Sequence, residues 1–60
     1  MTIPGWNITE DDGLLVATRQ AKLTEYQRRY GAISEVDARD EGELYLLCDA
    51  QTRVAELLGM

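Results

Sequence analysis

The sequence contains no histidine, no phenylalanine, one proline and one cysteine among its 60 residues. Histidine is the commonest general base and the commonest metal ligand, so its absence argues against an acid–base enzyme and against a metalloprotein. A single cysteine leaves no internal disulfide and no zinc cluster, and it fits a reducing compartment. We therefore expect no enzymatic activity, no cofactor, no bound metal and a cytoplasmic location.

Long apolar runs are also missing. The longest cover residues 14–17 and 44–48, far below the roughly 20 residues that span a bilayer. The N-terminus has no basic stretch followed by an apolar one, so we expect neither membrane insertion nor a secretion signal. A chain of this length buries only about 60% of the surface that its unfolded form exposes. We expect one domain over residues 1–60, which gains stability from a partner.

The first half of the chain carries the signals of a helix. Thr9 precedes three acidic residues, and a threonine N-cap followed by acids is typical of a helix start. The run ends in basic residues and then Gly31, which suits a left-handed C-terminal cap. The pattern predicts a first helix over about residues 10–30.

The second half repeats these signals. Ser34 is a candidate N-cap, and the pattern runs without proline to residue 58, before Gly59. Gly42 is unfavourable inside a helix, which leaves open a later start near residue 41. The sequence predicts a second helix over about residues 35–58.

A connection over residues 31–34 is too short for anything but an antiparallel neighbour. The predicted fold is therefore all-α, an antiparallel helical hairpin. Ahead of it, Pro4 and Gly5 suit the central positions of a type II turn, so we expect a short N-terminal cap segment that brings Trp6 to the hairpin's open end.

The predicted second helix has more apolar surface than one neighbour can cover. Its apolar residues spread over roughly 200°, twice the stripe that one packing partner needs. This excess predicts a homodimer, most simply a four-helix bundle of two hairpins, or a surface that receives a larger protein partner. The residues expected at the interface are Leu44, Leu47, Cys48, Gln51, Val54 and Leu58 of this helix, with Arg19 and Trp6.

Three of these interface residues have alternative interpretations. Arg19, on the apolar side of the predicted first helix, either extends its head group to solvent or to Glu43, or forms an ion pair across the interface. Trp6 either covers the end of the hairpin or anchors in a partner's pocket. Gln51, a polar residue on the apolar arc, is a candidate for setting the register of the bundle.

The net charge of −5 lies entirely in the second half. Residues 1–31 carry four basic and four acidic groups, whereas residues 32–60 carry two and seven. In the predicted hairpin this acidic segment lies beside Lys22, Arg28 and Arg29, which offset it. Direct binding of nucleic acid is not expected, because phosphate contacts need a basic surface. The candidate acidic patch comprises Asp37, Asp40, Glu41 and Glu43.

These patterns favour a small protein–protein interaction module. Our leading hypothesis is a self-associating hairpin that acts as an adaptor, an accessory subunit or an inhibitor of a larger protein. One alternative uses the acidic patch to mimic nucleic acid, or to neutralise a basic protein as an antitoxin does. Another is a structural building block of a virion or complex.

Overall fold

A computed structural model describes residues 1–59 of the chain. In that range the elements are β1 (Trp6–Asp11), β2 (Leu14–Arg19), α1 (Glu25–Arg29), β3 (Glu35–Ala38) and α2 (Glu41–Leu58). The strands form one antiparallel sheet in the order β1-β2-β3, and α2 packs on it. The fold is α+β. The prediction of an all-α helical hairpin is therefore wrong, and so is the four-helix bundle built from two such hairpins.

A tight turn between β1 and β2 replaces the predicted start of the first helix. Asp12 and Gly13 both have positive φ, +56° and +82°, and Asp11 pairs with Leu14 across the turn. Two central residues of positive φ define a type I′ turn, for which Asp-Gly is a preferred pair because its twist matches that of the strands. Residues 10–19 are consequently strand and turn rather than helix.

The predicted first helix survives only as the five residues of α1. Thr24 and Gln27 form a capping box: the amide of Gln27 donates to Thr24 Oγ1 (3.1 Å), and the amide of Thr24 donates to Gln27 Oε1 (2.8 Å). Gly31, with φ of +109°, follows the helix. The C-terminal signal was interpreted correctly, but the start lies at Thr24 and not at Thr9.

The second helix begins at Glu41, the later of the two starts that the sequence left open. Asp40 is its N-cap, and Asp40 Oδ1 accepts a hydrogen bond from the amide of Glu43 (2.8 Å). Residues 35–38, predicted as helix, form β3 and pair with β2. The C-terminal end agrees with the prediction: α2 ends at Leu58, and the amide of Gly59 donates to the carbonyl oxygen of Ala55 (2.9 Å).

The predicted N-terminal turn is confirmed. The amide of Trp6 donates to the carbonyl oxygen of Ile3 (3.1 Å), and Gly5 has a φ of +86°, as the third position of a type II turn requires. This turn brings Ile3 and Trp6 together in the core.

Small residues on the inner face of the sheet let α2 approach it closely. Ala17 is fully buried at the centre of β2, and Ala38 is buried in β3. Leu44 and Cys48 of α2 pack into the same core and are also fully buried. Large side chains on the central strand would hold the helix away, since protein interiors are close-packed. The small residues therefore leave room for Leu44 and Cys48 to pack directly on the sheet.

The β1–β2 turn predicts the sign of a stability change. Gly13→Ala should lower the free energy of unfolding by about 1–2 kcal/mol, because a residue with a Cβ is strained at positive φ. In a helical hairpin the same change would be stabilising by up to ~1 kcal/mol, because alanine favours helix. Urea unfolding followed by far-ultraviolet circular dichroism measures the difference.

Gly42→Ala is the matched control for that experiment. A Cβ at this position in the first turn of α2 meets only Asp40 Oδ1, at an ordinary 3.4 Å, so the change should stabilise the chain by up to ~1 kcal/mol. If Gly13→Ala stabilises the chain in the same way, the β1–β2 turn is assigned incorrectly.

Candidate interaction surface

The inner side of α2 packs on the sheet. Leu44, Cys48 and Ala55 are buried on this side, and the first two share one core with Ala17 and Val36. The sequence placed Leu44 and Cys48 at an interface between chains. Both are fully buried within one chain, because they cover a sheet that the sequence analysis did not predict. Neither side chain is accessible to a partner in this fold.

The opposite side of α2 carries apolar side chains that the other described residues leave wholly or partly exposed. Leu46 and Leu57 keep 67% and 71% of their surface exposed, and Leu47 keeps 37%. At about 100° per residue these leucines share one side of the helix with Ala50, which is exposed, and Val54, which is half-buried. The outer face of α2 is defined here as Leu46, Leu47, Ala50, Val54 and Leu57.

Four members of the outer face recur at the spacing of a coiled-coil seam. Leu47, Ala50, Val54 and Leu57 are separated by steps of three, four and three residues, which is the alternation of a and d positions in a heptad. The predicted interface included Leu47 and Val54 but not Ala50 or Leu57, although this spacing marks both. Leu58, also predicted, is half-buried beside the face.

Arg19 and Gln51 hydrogen-bond within the chain. Arg19 donates to the carbonyl oxygen of Ile33 from Nε (3.2 Å) and Nη2 (3.1 Å), and to that of Gln51 from Nη2 (3.2 Å). Gln51 Oε1 accepts from the amide of Ile33 (2.9 Å). Burial lowers the pKa of the Arg19 guanidinium, and the neighbouring Cys48 opposes that shift. These bonds join β2, the residues before β3, and α2 to one another.

Trp6 belongs to the core. It is 4% exposed, its Nε1 donates to Thr52 Oγ1 (3.1 Å), and the guanidinium carbon of Arg19 lies 4.5 Å from the ring centroid. That distance is within the range of a cation–π interaction. Both predicted interface residues outside α2, Trp6 and Arg19, thus make their polar contacts inside the chain.

The acidic patch lies at one end of the molecule, away from the basic residues that were expected to offset it. The pairings of Asp11 with Leu14 and of Leu15 with Ala38 place the β1–β2 turn and the start of α2 at the same end. At the other end, Gln27 Nε2 of α1 donates to the carbonyl oxygen of Ala55 (2.8 Å). The acidic end holds Glu10, Asp11, Asp12, Asp37, Asp40, Glu41 and Glu43, with the basic Arg39 among them, whereas Lys22, Arg28 and Arg29 lie in and around α1 at the other end.

Comparison of the chain with protein-family models, with curated proteins and with solved structures found no match. Within residues 1–59, no group of three or more histidine, cysteine, aspartate or glutamate side chains is arranged to hold a metal ion. None of the helices in that range is long and apolar enough to cross a membrane.

The position of Cys48 predicts slow reaction with thiol reagents. Burial raises the pKa of this thiol, although the Arg19 guanidinium acts in the opposite direction. In the folded chain Cys48 should react with Ellman's reagent ~100-fold more slowly than in urea. This factor corresponds to about 3 kcal/mol of unfolding free energy, which is typical of a domain of this size. Rapid labelling under native conditions would show that Cys48 is not in the core.

The same pKa shift gives the pH dependence of folding. The folded chain holds the thiol proton of Cys48 to a higher pH than the unfolded chain does. The protonated thiol therefore contributes to the free energy of unfolding, and this contribution is complete below the pKa that Cys48 has in the unfolded chain. It is lost as pH rises through the folded pKa. Urea unfolding repeated at increasing pH measures this loss of stability.

Proposed function

We propose that this chain is a small protein-interaction module that associates with a second copy of itself through the outer face of α2. The supporting observation is an exposed apolar stripe with a/d spacing along a helix whose other side is already packed. Large apolar stripes on small proteins mark association sites. The helical hairpin that the sequence predicted is not formed, but α2 still has more apolar residues than the sheet covers.

A second copy fits because the stripe is complementary to itself in an antiparallel alignment. When Leu47 of one copy faces Leu57 of the other, Ala50 faces Val54, and a two-fold axis makes each contact occur twice. Large residues then meet at both ends, and a small residue meets a β-branched one at the centre. A parallel alignment would bring the acidic first turns of the two helices, including Glu43, side by side at a cost in like-charge repulsion.

The exposed area sets the expected strength. Burying the exposed two-thirds of a leucine contributes about 1–2 kcal/mol, so Leu46 and Leu57 from two copies contribute ~4–8 kcal/mol. Leu47 and Val54 add less because they are already partly covered. Set against a cost of association of about 4 kcal/mol or more, this sum puts the dissociation constant at ~1 mM.

Leu57→Glu tests the outer face. Sedimentation equilibrium at up to ~1 mM should show the unchanged chain moving from 6.8 kDa toward twice that mass. The variant should dissociate at least ~10-fold more readily, because a carboxylate then faces the apolar stripe. Its circular dichroism spectrum should stay the same, since Leu57 makes no part of the buried core.

Tyr45→Glu is the matched control. Tyr45 is an exposed apolar residue on the same helix but on the side away from the outer face, so the same charge there should leave association unchanged. An unchanged chain that remains a monomer at ~1 mM, or equal loss of association in both variants, would contradict the proposal.

A second candidate function uses the acidic end, and the segregation of charge favours it. Lys22, Arg28 and Arg29 lie at the other end of the molecule, so few cations neutralise the seven acidic side chains of the acidic end. Such an end suits a basic protein surface that otherwise binds nucleic acid.

If the acidic end has this function, the chain should displace double-stranded DNA from a lysine-rich histone. The triple variant Asp40→Asn, Glu41→Gln, Glu43→Gln should displace it poorly, and no displacement by the unchanged chain would exclude this function.

A further inference from the structure

The outer edge of β3 presents backbone groups that the sheet does not use. The amide of Arg19 donates to the carbonyl oxygen of Ser34 (2.8 Å), in register with the pairing of Ala17 with Val36. In an antiparallel ladder the residues alternate, so Val36 and Ala38 direct their N–H and C=O groups toward β2. Glu35 and Asp37 direct theirs outward, and no other strand among residues 1–59 pairs with this edge.

Beside this edge lies a groove with an apolar floor. Its volume is about 270 Å³, and Val36, Ile33 and Leu47 line it together with Glu35 and Asp37. At one end the backbone groups of Ile33 are already occupied by Gln51 and Arg19. The available edge therefore starts after Ile33 and runs along β3.

Two carboxylates lie along the same edge, on the side of the sheet that faces away from α2. Glu35 and Asp37 alternate with the buried Val36 and Ala38, so their side chains project from the sheet face opposite α2. Neither makes an ion pair with another described residue. The edge thus offers apolar contacts on one side of the strand and negative charge on the other.

We propose that this edge binds an extended segment of a different protein, in which lysine or arginine alternates with apolar residues. The segment adds a fourth strand to the sheet, with its backbone bonded to Glu35 and Asp37. Its apolar side chains enter the groove against Val36 and Leu47, and its basic side chains lie over the two carboxylates. Period-two alternation in the partner matches the two sides of the edge.

A second copy of this chain does not fit the edge. In an antiparallel pairing of two β3 strands that keeps the helices on one side, the β3 residue opposite Asp37 is either Asp37 or Glu35 of the other copy. The pairing of Asp37 with Asp37 also places Glu35 opposite Arg39, which follows the strand, so the repulsion is concentrated at Asp37. Like charges directly opposite each other are destabilising, and charged edge strands of this kind prevent self-pairing. The charge that excludes a second copy selects a basic partner.

A short fluorescein-labelled peptide of strictly alternating lysine and valine tests this proposal by fluorescence anisotropy. We expect saturable binding to the unchanged chain. A peptide of the same composition with its lysines and valines in separate blocks should bind at least ~10-fold more weakly, because it cannot satisfy both sides of the edge. Equal binding of the two peptides would overturn the proposal by reducing it to non-specific charge attraction.

Asp37→Pro and Asp37→Ala separate the backbone contact from the charge. Both variants lose the carboxylate, but only proline also removes the outward N–H, and edge strands tolerate proline. Binding of the alternating peptide should be ~10-fold weaker for Asp37→Pro than for Asp37→Ala. Equal affinities of the two folded variants would show that no strand is added.

Amide hydrogen exchange in the unsubstituted chain keeps the test independent of how well the proline variant folds. The amides of Glu35 and Asp37 should exchange more slowly when the alternating peptide is added, and unchanged exchange at saturation would contradict the proposal. The anisotropy measurement and the hydrogen-exchange measurement are repeated on the Leu57→Glu variant. Because that change lies outside the groove, failure of self-association and failure of edge binding are distinguished.

Discussion

The contact between one side of α2 and the inner face of the sheet determines where the other elements lie. A three-stranded sheet needs a hydrophobic face covered by a packing partner to be stable, and α2 provides that cover through Leu44 and Cys48. Ala17, at the centre of the middle strand, leaves room for the helix to approach. Around this contact, Trp6 bonds to Thr52 of α2, and Arg19 and Gln51 bond to the same residue before β3.

The sheet contact also explains the surplus of apolar residues on α2. One part of the apolar arc, which includes Leu44 and Cys48, covers the sheet, whereas Leu46, Ala50 and Leu57 are exposed. The same arrangement leaves the edge of β3 open beside the helix, with Leu47 on the border between the outer face and the edge groove. One helix therefore contributes to the core and to both proposed interaction surfaces.

Local signals in the sequence predicted the parts of the fold that depend on neighbouring residues. Pro4 with Gly5 gave the N-terminal turn, and Gly59 marked the end of α2. The β1–β2 hairpin was missed although Asp12-Gly13 is a strong local signal, because the acids after Thr9 also resemble a helix start. The interface prediction failed at Leu44 and Cys48 for a different reason. Helical periodicity shows that an arc is apolar, but which part of it is buried depends on a sheet formed by residues distant in sequence.

One side of α2 covers the sheet, and we propose that the outer face meets a second copy. Isotope-filtered NMR on a mixture of labelled and unlabelled chains tests it directly. Leu47 and Leu57 lie about 15 Å apart along one helix, so an Overhauser contact between their methyl groups must join two copies. We expect this contact at millimolar concentration. Its absence from a dimer, or intermolecular contacts to Leu44 and Cys48 instead, would contradict association through the outer face of α2.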